Sequence, residues 1–359
     1  MLSHLNDDQL KNKPLAEAST LPSTCYVDDF FHSWEIENLH RKTWQGIGSV
    51  QLLAHSGGLI KTTLADNPVI IFDDEDGKVR AFYDVCQHRG GPLERKESSG
   101  LKCRYHGWTY RFDGTLAGTP EFDGVDDFER EKVTLKAIGL VQWQGLLFLN
   151  LDPDAPDPQS AFVGIAKIIA PLDLSSLKLY RRVTYDVKSN WKVYVDNYQE
   201  AYHLGYVHKG LSNLLDYETY KTEVNEHFTL QSSPISDTDK MYSGSGNMAY
   251  YFTLFPNFML NILPGRLQTN LIVPVSANRC QVIFDYYYED ISTPEARDRI
   301  EKEIEFSDEI QREDIEICER VQEGLSTPAY DEGRYSIKRE EGLHAFHNYM
   351  RAIYRQNVE

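Results

Sequence analysis

The chain has 359 residues, of which 41% are hydrophobic and 26% charged, a composition typical of a globular protein large enough for two domains. Its formal charge of −18 at pH 7 argues against binding to nucleic acids or anionic membranes, because phosphate groups attract basic surfaces. Five cysteines are present without a disulfide-framework spacing, so Cys25, Cys280 and Cys318 are expected to be buried thiols in a reducing compartment.

The first 25 residues are polar and are expected to pack loosely or to cap another element. They have neither the basic start nor the apolar stretch of a signal peptide, and no part of the chain approaches the ~20 apolar residues of a membrane span. We therefore predict a cytoplasmic protein. A helix is predicted from Asp28 to Trp44, with Asp28 or Asp29 as its cap. Its buried face would consist of Phe31, Trp34, Ile36 and Leu39.

From Trp44 to Leu151 the hydrophobic period shortens and predicts a small antiparallel β domain. Residues 69–72 and 79–85 would form two strands joined by an acidic turn that ends in Asp-Gly. Two short loops in this domain each carry one cysteine and one histidine. Each pair places a thiolate and an imidazole at the tip of a turn, so the two tips could hold one compact metal centre.

The two pairs are Cys86 with His88 and Cys103 with His106. Zinc accepts two cysteines and two histidines, so the ligand set alone leaves the metal open. Iron–sulfur is favoured because both pairs are mixed, because no finger-length helical segment separates them, and because an aromatic, strand-forming stretch follows the second pair. The pattern resembles the Rieske [2Fe–2S] motif. That resemblance implies that Cys86 and Cys103 hold one iron and that His88 and His106 hold the other, although the gap between the pairs is about a residue shorter than usual.

Three prolines in residues 152–158 predict a linker. Beyond it we expect a short helix, a strand at 180–187 and a helix at 191–203. Five further strands are predicted at 218–231, 249–254, 259–262, 268–273 and 279–289, followed by a long helix at 295–322. The glycines of 243–246 are not framed by a strand and a helix, so they do not form a dinucleotide fingerprint and NAD(P)H is expected to bind a different protein.

A second set of metal-binding side chains lies at His203 and His208. Five residues correspond to ~140° of rotation in a straight α-helix, too far round for one metal. Gly205 lies between them, so the helix is expected to end or loosen there and let His208 turn back. Two histidines and one carboxylate form the facial triad of non-haem Fe(II) oxygenases, with open positions for O2 and substrate. Alone, this spacing is a weak signal, and two half-buried histidines hydrogen-bonded to the backbone are the alternative.

The long helix offers Asp308, Glu313, Asp314 and Glu316 as the third ligand. Its apolar residues fall within one arc of about 100°, and Asp314 lies near the middle of that arc whereas the other three carboxylates lie outside it. A carboxylate on the core side of a helix is costly unless it is paired or binds metal. A salt bridge to a buried arginine is the alternative. The arc consists of Ile310, Ile317, Cys318, Val321 and Leu325.

Together the two sites resemble the α subunits of Rieske non-haem iron oxygenases, over nearly the whole chain. The family's acidic ligand matches Asp314, and its Asp or Glu that bridges an iron-ligand histidine to a cluster-ligand histidine of the neighbouring subunit matches Glu200. By that match Glu200 would link His203 to His106 across an interface. Asn197 is a further candidate catalytic residue, and a solvent-facing role is the alternative for Glu200.

The resemblance implies an α+β fold with an antiparallel Rieske domain at 40–155 and a helix-grip catalytic domain at 156–359 that has a curved antiparallel sheet and a long C-terminal helix. Residues 1–39 would pack on the catalytic domain. It also implies a homotrimer in which electrons pass from the [2Fe–2S] cluster of one subunit to mononuclear Fe(II) of the next, where O2 is activated beside the substrate. A ferredoxin-like electron carrier with a vestigial second domain and a zinc-stabilised binding module are the rival interpretations.

The substrate is predicted less directly. Residues 250–261 and 286–288 are dense in aromatics, which suit a quaternary ammonium ion by cation–π attraction and an aromatic ring by stacking. The stretch 255–261 together with 269–271 resembles the choline and glycine-betaine monooxygenase branch. We therefore expect hydroxylation or N-demethylation of a small quaternary ammonium compound, with hydroxylation of an aromatic acid by a mono- or dioxygenase as the alternative.

The cluster loops carry an excess of positive charge on an acidic protein. Between positions 86 and 111 there are six basic residues and only two acidic ones, Glu94 and Glu97. Solvated loop charge is the simplest explanation. The alternative is a docking surface for an acidic electron donor, an NAD(P)H-dependent flavin or ferredoxin reductase. The basic residues are Arg89, Arg95, Lys96, Lys102, Arg104 and Arg111.

Overall fold

The computed structural model describes residues 5–96, 100–208, 210, 218–235 and 247–356; the glycines of 243–246 and Glu97 lie outside this part of the chain. The chain divides into two compact units, Ile36–Asp157 and a larger one made of Met1–Glu35 with Pro158–Glu359. Among the described residues, no helix combines the length and the apolar character that a membrane span requires. The α+β class with antiparallel sheets in both units is confirmed.

The N-terminal segment is helical and packed, so of the two expectations, loose packing or capping of another element, the first was wrong. Leu10, Leu21 and Cys25 are buried in the larger unit. The predicted helix over residues 28–44 is shorter than expected, since it ends in a π-helical turn at Ile36–His40 and the first strand begins at Gln45. The helices of this segment are α1 Asp7–Leu10, α2 Thr24–Val27 and α3 Asp29–Glu35.

The smaller unit consists of three antiparallel sheets with strand orders β1-β10-β9, β2-β3-β4 and β5-β6-β7-β8. Among its described residues, Gln51–His55 forms the helix α4 and Arg130–Lys132 forms a short 3-10 helix. The strands are β1 Gln45–Ser49, β2 Leu59–Leu64, β3 Asn67–Asp73, β4 Val79–Tyr83, β5 Leu93–Lys96, β6 Gly100–Cys103, β7 Thr109–Tyr110, β8 Leu116–Gly118, β9 Gly139–Trp143 and β10 Leu146–Asn150.

The predicted turn between β3 and β4 is stabilised by one aspartate. Oδ1 of Asp74 accepts hydrogen bonds from the amides of Asp76 (3.1 Å) and Lys78 (2.8 Å), and its Oδ2 accepts one from Nε of Arg80 (2.8 Å). Gly77 has a φ of +75°, which suits glycine at this turn. The acidic stretch therefore closes the hairpin, and β3 lies in the core.

The larger unit is built on a seven-stranded antiparallel sheet with the order β11-β17-β16-β15-β14-β13-β12. The single strand predicted at 218–231 is wrong, because a turn at 225–227 divides it into a hairpin. The strands are β11 Lys178–Val187, β12 Lys221–Val224, β13 Phe228–Pro234, β14 Met248–Leu254, β15 Phe258–Leu263, β16 Arg266–Ser276 and β17 Arg279–Tyr288.

Five helices accompany this sheet in the described part of the chain, and several of them differ from the prediction. The helix predicted to reach His203 ends at Tyr198, and the last helix of the chain was not predicted. The long helix α8 is longer than expected and is capped by the side chain of Thr293, which accepts the Ala296 amide (3.1 Å). The helices are α5 Gln159–Ile169, α6 Trp191–Tyr198, α7 Leu204–Val207, α8 Pro294–Leu325 and α9 Glu341–Arg355.

The buried face of α8 is rotated from the predicted arc. Val321 is 44% exposed and Ile310 and Ile317 are half-buried, so the arc was partly wrong. Polar residues on the buried face bond to neighbouring elements, which periodicity of apolar residues does not reveal. Oε1 of Gln322, for example, accepts the Asn190 amide (2.7 Å) at the start of α6. The buried face includes Ile300, Glu303, Ile304, Gln311, Cys318 and Gln322.

A buried ion pair fixes α6 against the N-terminal segment. Nζ of Lys192 lies 2.7 Å from Oε1 of Glu35, and the two side chains are 0% and 1% exposed. Trp191 Nε1 donates to the other carboxylate oxygen of Glu35 (2.8 Å), so the charge is hydrogen-bonded as well as paired. This contact sets the position of the helix that leads into the second histidine site.

Candidate metal centres

The two Cys–His loops of the smaller unit have the same backbone geometry. The amide of Cys86 donates to the carbonyl of Gly91 (2.9 Å), and that of Cys103 donates to the carbonyl of Trp108 (2.7 Å). The amide four residues after each cysteine bonds back to the cysteine carbonyl, at 2.9 and 3.1 Å. Both thiols are buried, and a Cβ atom added at Gly91 would lie 2.8 Å from Cys103 Sγ. The loops are therefore two matched tips whose sulfurs face inward.

The imidazoles of these loops lie together, with the ring centroids of His88 and His106 4.7 Å apart. Trp108 stacks on His88 at 4.7 Å, whereas His106 and its neighbour Tyr105 are exposed. Partial burial, followed by the charge of His106, lowers the pKa of His88 and favours the neutral ring that a metal ligand requires. Nδ1 of His88 is buried and has no hydrogen-bond partner in the described part of the chain.

This donor set fits a two-iron cluster better than one zinc ion. Four tetrahedral zinc ligands would converge on one point. In the described part of the chain, the ligand atoms that gather within 4.8 Å of one another belong to the larger unit. The two cysteines and two histidines of these loops do not form such a group. The hydroxyl of Tyr110 lies 3.1 Å from Cys86 Sγ, which places a hydrogen-bond donor against a sulfur ligand.

The basic residues of the cluster loops are mostly exposed. Arg95 is the exception, because its guanidinium lies 2.7 Å from Oδ1 of Asp73 and 2.6 Å from the carbonyl of Gly58. Arg104 lies 3.5 Å from Glu94 in an exposed pair. The positive surface therefore consists chiefly of Arg89, Lys96, Lys102, Arg104 and Arg111.

In the larger unit, an interruption between α6 and α7 brings the two distant histidines together. The break covers residues 199–203, earlier than the predicted break at Gly205, which lies within α7. One oxygen of Glu200 accepts the amides of Tyr202 and His203 (the latter at 3.2 Å), replacing the missing helical bonds. His208 caps α7 and turns back, so the centroids of the two rings are 5.1 Å apart.

The three predicted side chains meet. The ligand atoms of His203, His208 and Asp314 all lie within 4.8 Å of one another. Nε2 of His208 is 2.9 Å from Oδ1 of Asp314, and Nε2 of His203 is 3.9 Å from the same oxygen. Two imidazole nitrogens and a carboxylate oxygen suit a divalent iron and leave coordination positions open.

A carboxylate holds the outer nitrogen of each ring. Nδ1 of His203 lies 2.6 Å from Glu200, and Nδ1 of His208 lies 2.7 Å from Glu313. Such contacts fix the tautomer, because the nitrogen facing the carboxylate carries the hydrogen and Nε2 is left for metal. Glu200 therefore contacts His203 as predicted, although not from one continuous helix. Glu313 was considered only as a ligand and its contact with His208 was missed.

Asn197 and Asp314 complete the arrangement. Nδ2 of Asn197 donates to Oδ1 of Asp314 (2.6 Å), so the residue with the least support from sequence touches the carboxylate directly. Burial alone would lower the pKa of His208, but its hydrogen bonds to Asp314 and then Glu313 outweigh burial and raise that pKa.

A cavity of about 140 Å³ opens beside these residues, between the helices and the sheet. It is smaller than the roughly 300–1,000 Å³ of sites for drug-sized ligands, so it suits a small molecule. Of the predicted aromatic stretches, Tyr251 lines it, while Tyr286, Tyr287 and Tyr288 are buried elsewhere in the core. Alternate strand residues face opposite ways, and most of the aromatics lie on the other face or away from the cavity.

Comparison with known proteins decides the family. Residues 43–129 match the model of the Rieske [2Fe–2S] domain, and residues 174–356 match that of the ring hydroxylating alpha subunit (catalytic domain). The chain belongs to the Rieske non-haem iron oxygenases. Its cofactors are a [2Fe–2S] cluster and a mononuclear iron, and the donor sets of the smaller and larger units fit these two groups respectively.

Relatives of this oxygenase include choline and carnitine monooxygenases. It is 33% identical to the chloroplastic choline monooxygenase of Arabidopsis thaliana, over 93% of this chain and 82% of the relative. It is 30% identical to the carnitine monooxygenase oxygenase subunit of Escherichia coli K12, over 94% and 95%. It also matches the solved structure of a quaternary ammonium Rieske monooxygenase that was described for carnitine oxidation and inter-subunit electron transfer. The TM-score is 0.87 and the identity 26%, over 97% of this chain and 98% of that one. The predicted resemblance to the choline monooxygenase branch is confirmed.

Proposed function

We propose that this oxygenase is the terminal component of a monooxygenase system that hydroxylates or N-demethylates a small quaternary ammonium compound. The observation that carries the proposal is a small cavity with aromatic walls that opens beside His203, His208 and Asp314. Aromatic faces attract a methylated ammonium ion, and the named relatives oxidise choline and carnitine. An aromatic acid could stack on the same walls, but no relative named above acts on one.

The residues that bind the cofactors follow from the two donor sets. Cys86 and Cys103 would hold one iron of the cluster, and His88 and His106 the other, consistent with the buried Nδ1 of His88. His203, His208 and Asp314 would hold the mononuclear iron, where O2 is activated with electrons supplied through the cluster. Asn197 would fix the orientation of the Asp314 carboxylate.

Oxygenation would be of the monooxygenase type rather than the dioxygenase type. One oxygen atom enters a C–H bond beside the ammonium nitrogen, and the other leaves as water with two electrons and two protons. The choline and carnitine relatives are monooxygenases. The chain itself supplies the binding surface and the carboxylates that hold the histidines, while the electrons come from a separate donor.

Electron transfer would cross between subunits of a homotrimer through Glu200. The exposed ring of His106 suits a contact with another subunit, and Glu200 already holds Nδ1 of His203. A related quaternary ammonium Rieske monooxygenase is described with inter-subunit electron transfer. These observations support the bridge from His106 of one subunit to Glu200 and His203 of the next.

An NAD(P)H-dependent flavin or ferredoxin reductase would supply the electrons. The exposed basic residues around the cluster, Lys102 and Arg104 among them, suit an acidic donor on an otherwise acidic protein. Reversing Lys102 and Lys96 to Glu should slow reduction by the reductase and leave reduction by dithionite rapid. Arg95 is a poor choice because its ion pair with Asp73 is structural. A cytoplasmic location stays a prediction, since the plant relatives are chloroplastic.

Oxygen consumption tests the function directly. With a surrogate reductase, O2 uptake should be stimulated by trimethylammonium compounds and not by aromatic acids, and the purified protein should contain about three irons per chain. Asp314→Ala should abolish turnover and keep the cluster spectrum. Asp308→Ala, on the same helix and bonded to Tyr185, is the matched control and should retain iron. Stimulation by aromatic acids alone would refute the proposed substrate class.

A further inference from the structure

Three polar side chains form a row on the cavity face of β16. Arg266, Gln268 and Asn270 are alternate residues, so they share one face of the strand, and they are only 6%, 4% and 2% exposed. All three line the cavity. Nη2 of Arg266 donates to Oε1 of Gln268 (2.6 Å), and Nε2 of Gln268 donates to Oδ1 of Asn270 (2.9 Å). The row is held by its own hydrogen bonds and has a cation at one end.

The row continues across the sheet. Gln268 lies opposite Asn261 on β15, Asn261 lies opposite Tyr251 on β14, and Tyr251 lies opposite Gln231 on β13. All four residues line the cavity. The sheet therefore presents a polar floor with hydrogen-bonding groups, and Arg266 lies at its edge. Such a floor suits a ligand with a polar end better than one that carries methyl groups throughout.

Arg266 shares its carboxylate neighbour Glu303 with a second arginine. Its Nη1 lies 3.7 Å from Oε2 of Glu303, and Nε of Arg299 lies 3.9 Å from Oε1, so two guanidinium groups face one carboxylate. By contrast, Arg182 and Asp285 in the same sheet form a close ion pair with two hydrogen bonds of 2.6 and 2.7 Å. Burial raises the pKa of Glu303 to about 7, which weakens the compensating charge further at neutral pH.

The cavity therefore presents two chemically different surfaces. Among its described lining residues, Arg266 is the only lysine or arginine. A guanidinium group repels an ammonium ion and binds a carboxylate. The aromatic lining has the opposite preference, because ring faces attract methylated ammonium groups. The aromatic residues are Tyr194, Tyr198, Tyr220, Tyr251, Phe284 and Phe306.

Resting on the proposed function, we propose that the substrate is a betaine-type zwitterion whose carboxylate binds Arg266 while its methylated ammonium group lies among the aromatic side chains beside the histidines. A ligand with only the cation, such as choline, would satisfy the aromatic surface and leave the guanidinium group facing an alcohol. Arg266 would then determine which class of ammonium compound the oxygenase accepts.

Binding to the unaltered oxygenase, with both metal centres filled and no reductant present, tests this directly by calorimetry. A trimethylammonium carboxylate should bind about tenfold or more tightly than its uncharged amide or than choline. Arg266→Met should abolish that difference. It should weaken binding of the carboxylate ligand and change the affinity for choline by no more than about a fewfold. Arg299→Met is the matched control, because it removes the other cation beside Glu303 without altering the cavity wall, and it should preserve the preference.

Three results would count against the proposal. If the unaltered protein binds the trimethylammonium carboxylate, its amide and choline equally tightly, Arg266 does not determine which ammonium compound binds. The proposed function would still stand. If Arg266→Met weakens every ligand to the same extent, Arg266 is structural and the inference fails in the same way. If no ammonium compound binds and aromatic acids do, the proposed function and this inference fail together. The comparison of ligands on the unaltered protein keeps the test valid if the variant misfolds.

Discussion

Oε2 of Glu313 lies 2.7 Å from Nδ1 of His208. The next residue of the same helix, Asp314, lies 2.9 Å from Nε2 of that ring, so consecutive carboxylates hold opposite sides of one imidazole. The two acidic residues therefore have separate positions: Asp314 lies at the nitrogen proposed to bind iron, and Glu313 lies at the opposite nitrogen of the ring. The first prediction follows from this division.

Glu313→Ala should weaken iron binding at the mononuclear site by roughly 10–100-fold, because the ring of His208 loses the partner that fixes its tautomer. Iron content during titration with a chelator measures this, while the visible spectrum of the cluster should not change. Glu316→Ala is the matched control, since Glu316 is an exposed carboxylate on the same helix. Equal iron retention in the two variants would show that the contact with His208 is incidental.

Glu200→Gln should keep both metal centres and bind substrate, but it should turn over slowly because the proposed bridge from His203 to the cluster of a neighbouring subunit would lose its charge-assisted hydrogen bonds. Mixed oligomers, which are trimers under the proposal, provide the sharper measurement. A Glu200→Gln subunit has an intact cluster, and a His106→Ala subunit has an intact Glu200, so together they should recover activity that neither variant has alone. Verified mixed trimers without recovered activity would instead place the electron path within one chain.

Tyr110→Phe should lower the reduction potential of the cluster by tens of millivolts, because it removes a hydrogen bond to Cys86 Sγ that favours the more negative, reduced state. Redox titration followed by the EPR signal of the reduced cluster gives the value. Tyr83→Phe, in a different hydrophobic cluster of the same unit, should leave the potential unchanged. An unshifted potential in the Tyr110 variant would mean that its hydroxyl bonds only to the amide of Gln87, which lies 3.0 Å away.

Glu303→Gln should change how stability depends on pH. Burial raises the pKa of Glu303 from 4.5 to about 7, so the folded protein holds this proton more tightly, and its contribution to the free energy of unfolding falls as pH rises between these values. The neutral amide removes that loss, which amounts to as much as about 3 kcal/mol above pH 7. The melting temperature of the variant, relative to the unaltered protein, should therefore rise from pH 5 to pH 8.

Glu301→Gln is the control for that experiment. Its carboxyl group accepts hydrogen bonds from Tyr180 and Arg181, and the first of these contributes most to a lowered pKa. Replacing it should cost a similar amount at pH 5 and at pH 8. A Glu303 variant with the same flat profile would show that this carboxylate stays ionised in the folded state.

Local patterns selected side chains that the structure brings close together, and their role as metal ligands stays a prediction. The two Cys–His pairs lie within one short stretch, and the conformation of their loops depends on nearby glycines and local backbone hydrogen bonds. The meeting of His203 and His208 with Asp314 was also predicted, although the helical arc used to select Asp314 was partly wrong. Asp314 was found because a carboxylate among apolar residues stands out, even when the buried face is rotated.

Features that depend on distant contacts were missed. The break after Tyr198 arises because the side chain of Glu200 replaces helical bonds, and helix periodicity does not reveal such a substitution. Glu313 was set aside as a ligand, and only the fold shows that it contacts the back of His208. The cavity includes Tyr194 and Tyr198 from α6 and Arg266 from β16, residues brought together by the sheet and the helices rather than by one aromatic stretch.

Two consecutive residues of α6 connect the last described helix of the chain to Asp314, the proposed iron ligand. Oδ1 of Asp196 lies 3.0 Å from Nε2 of His347 on α9, and Asn197 donates to Asp314. A shift of α9 would therefore be passed through a single peptide unit to the carboxylate at the mononuclear centre. Substitutions that shift α9, a helix without a proposed metal ligand, should therefore uncouple O2 consumption from product formation. Substrate would still bind, but electrons would be lost to the formation of peroxide.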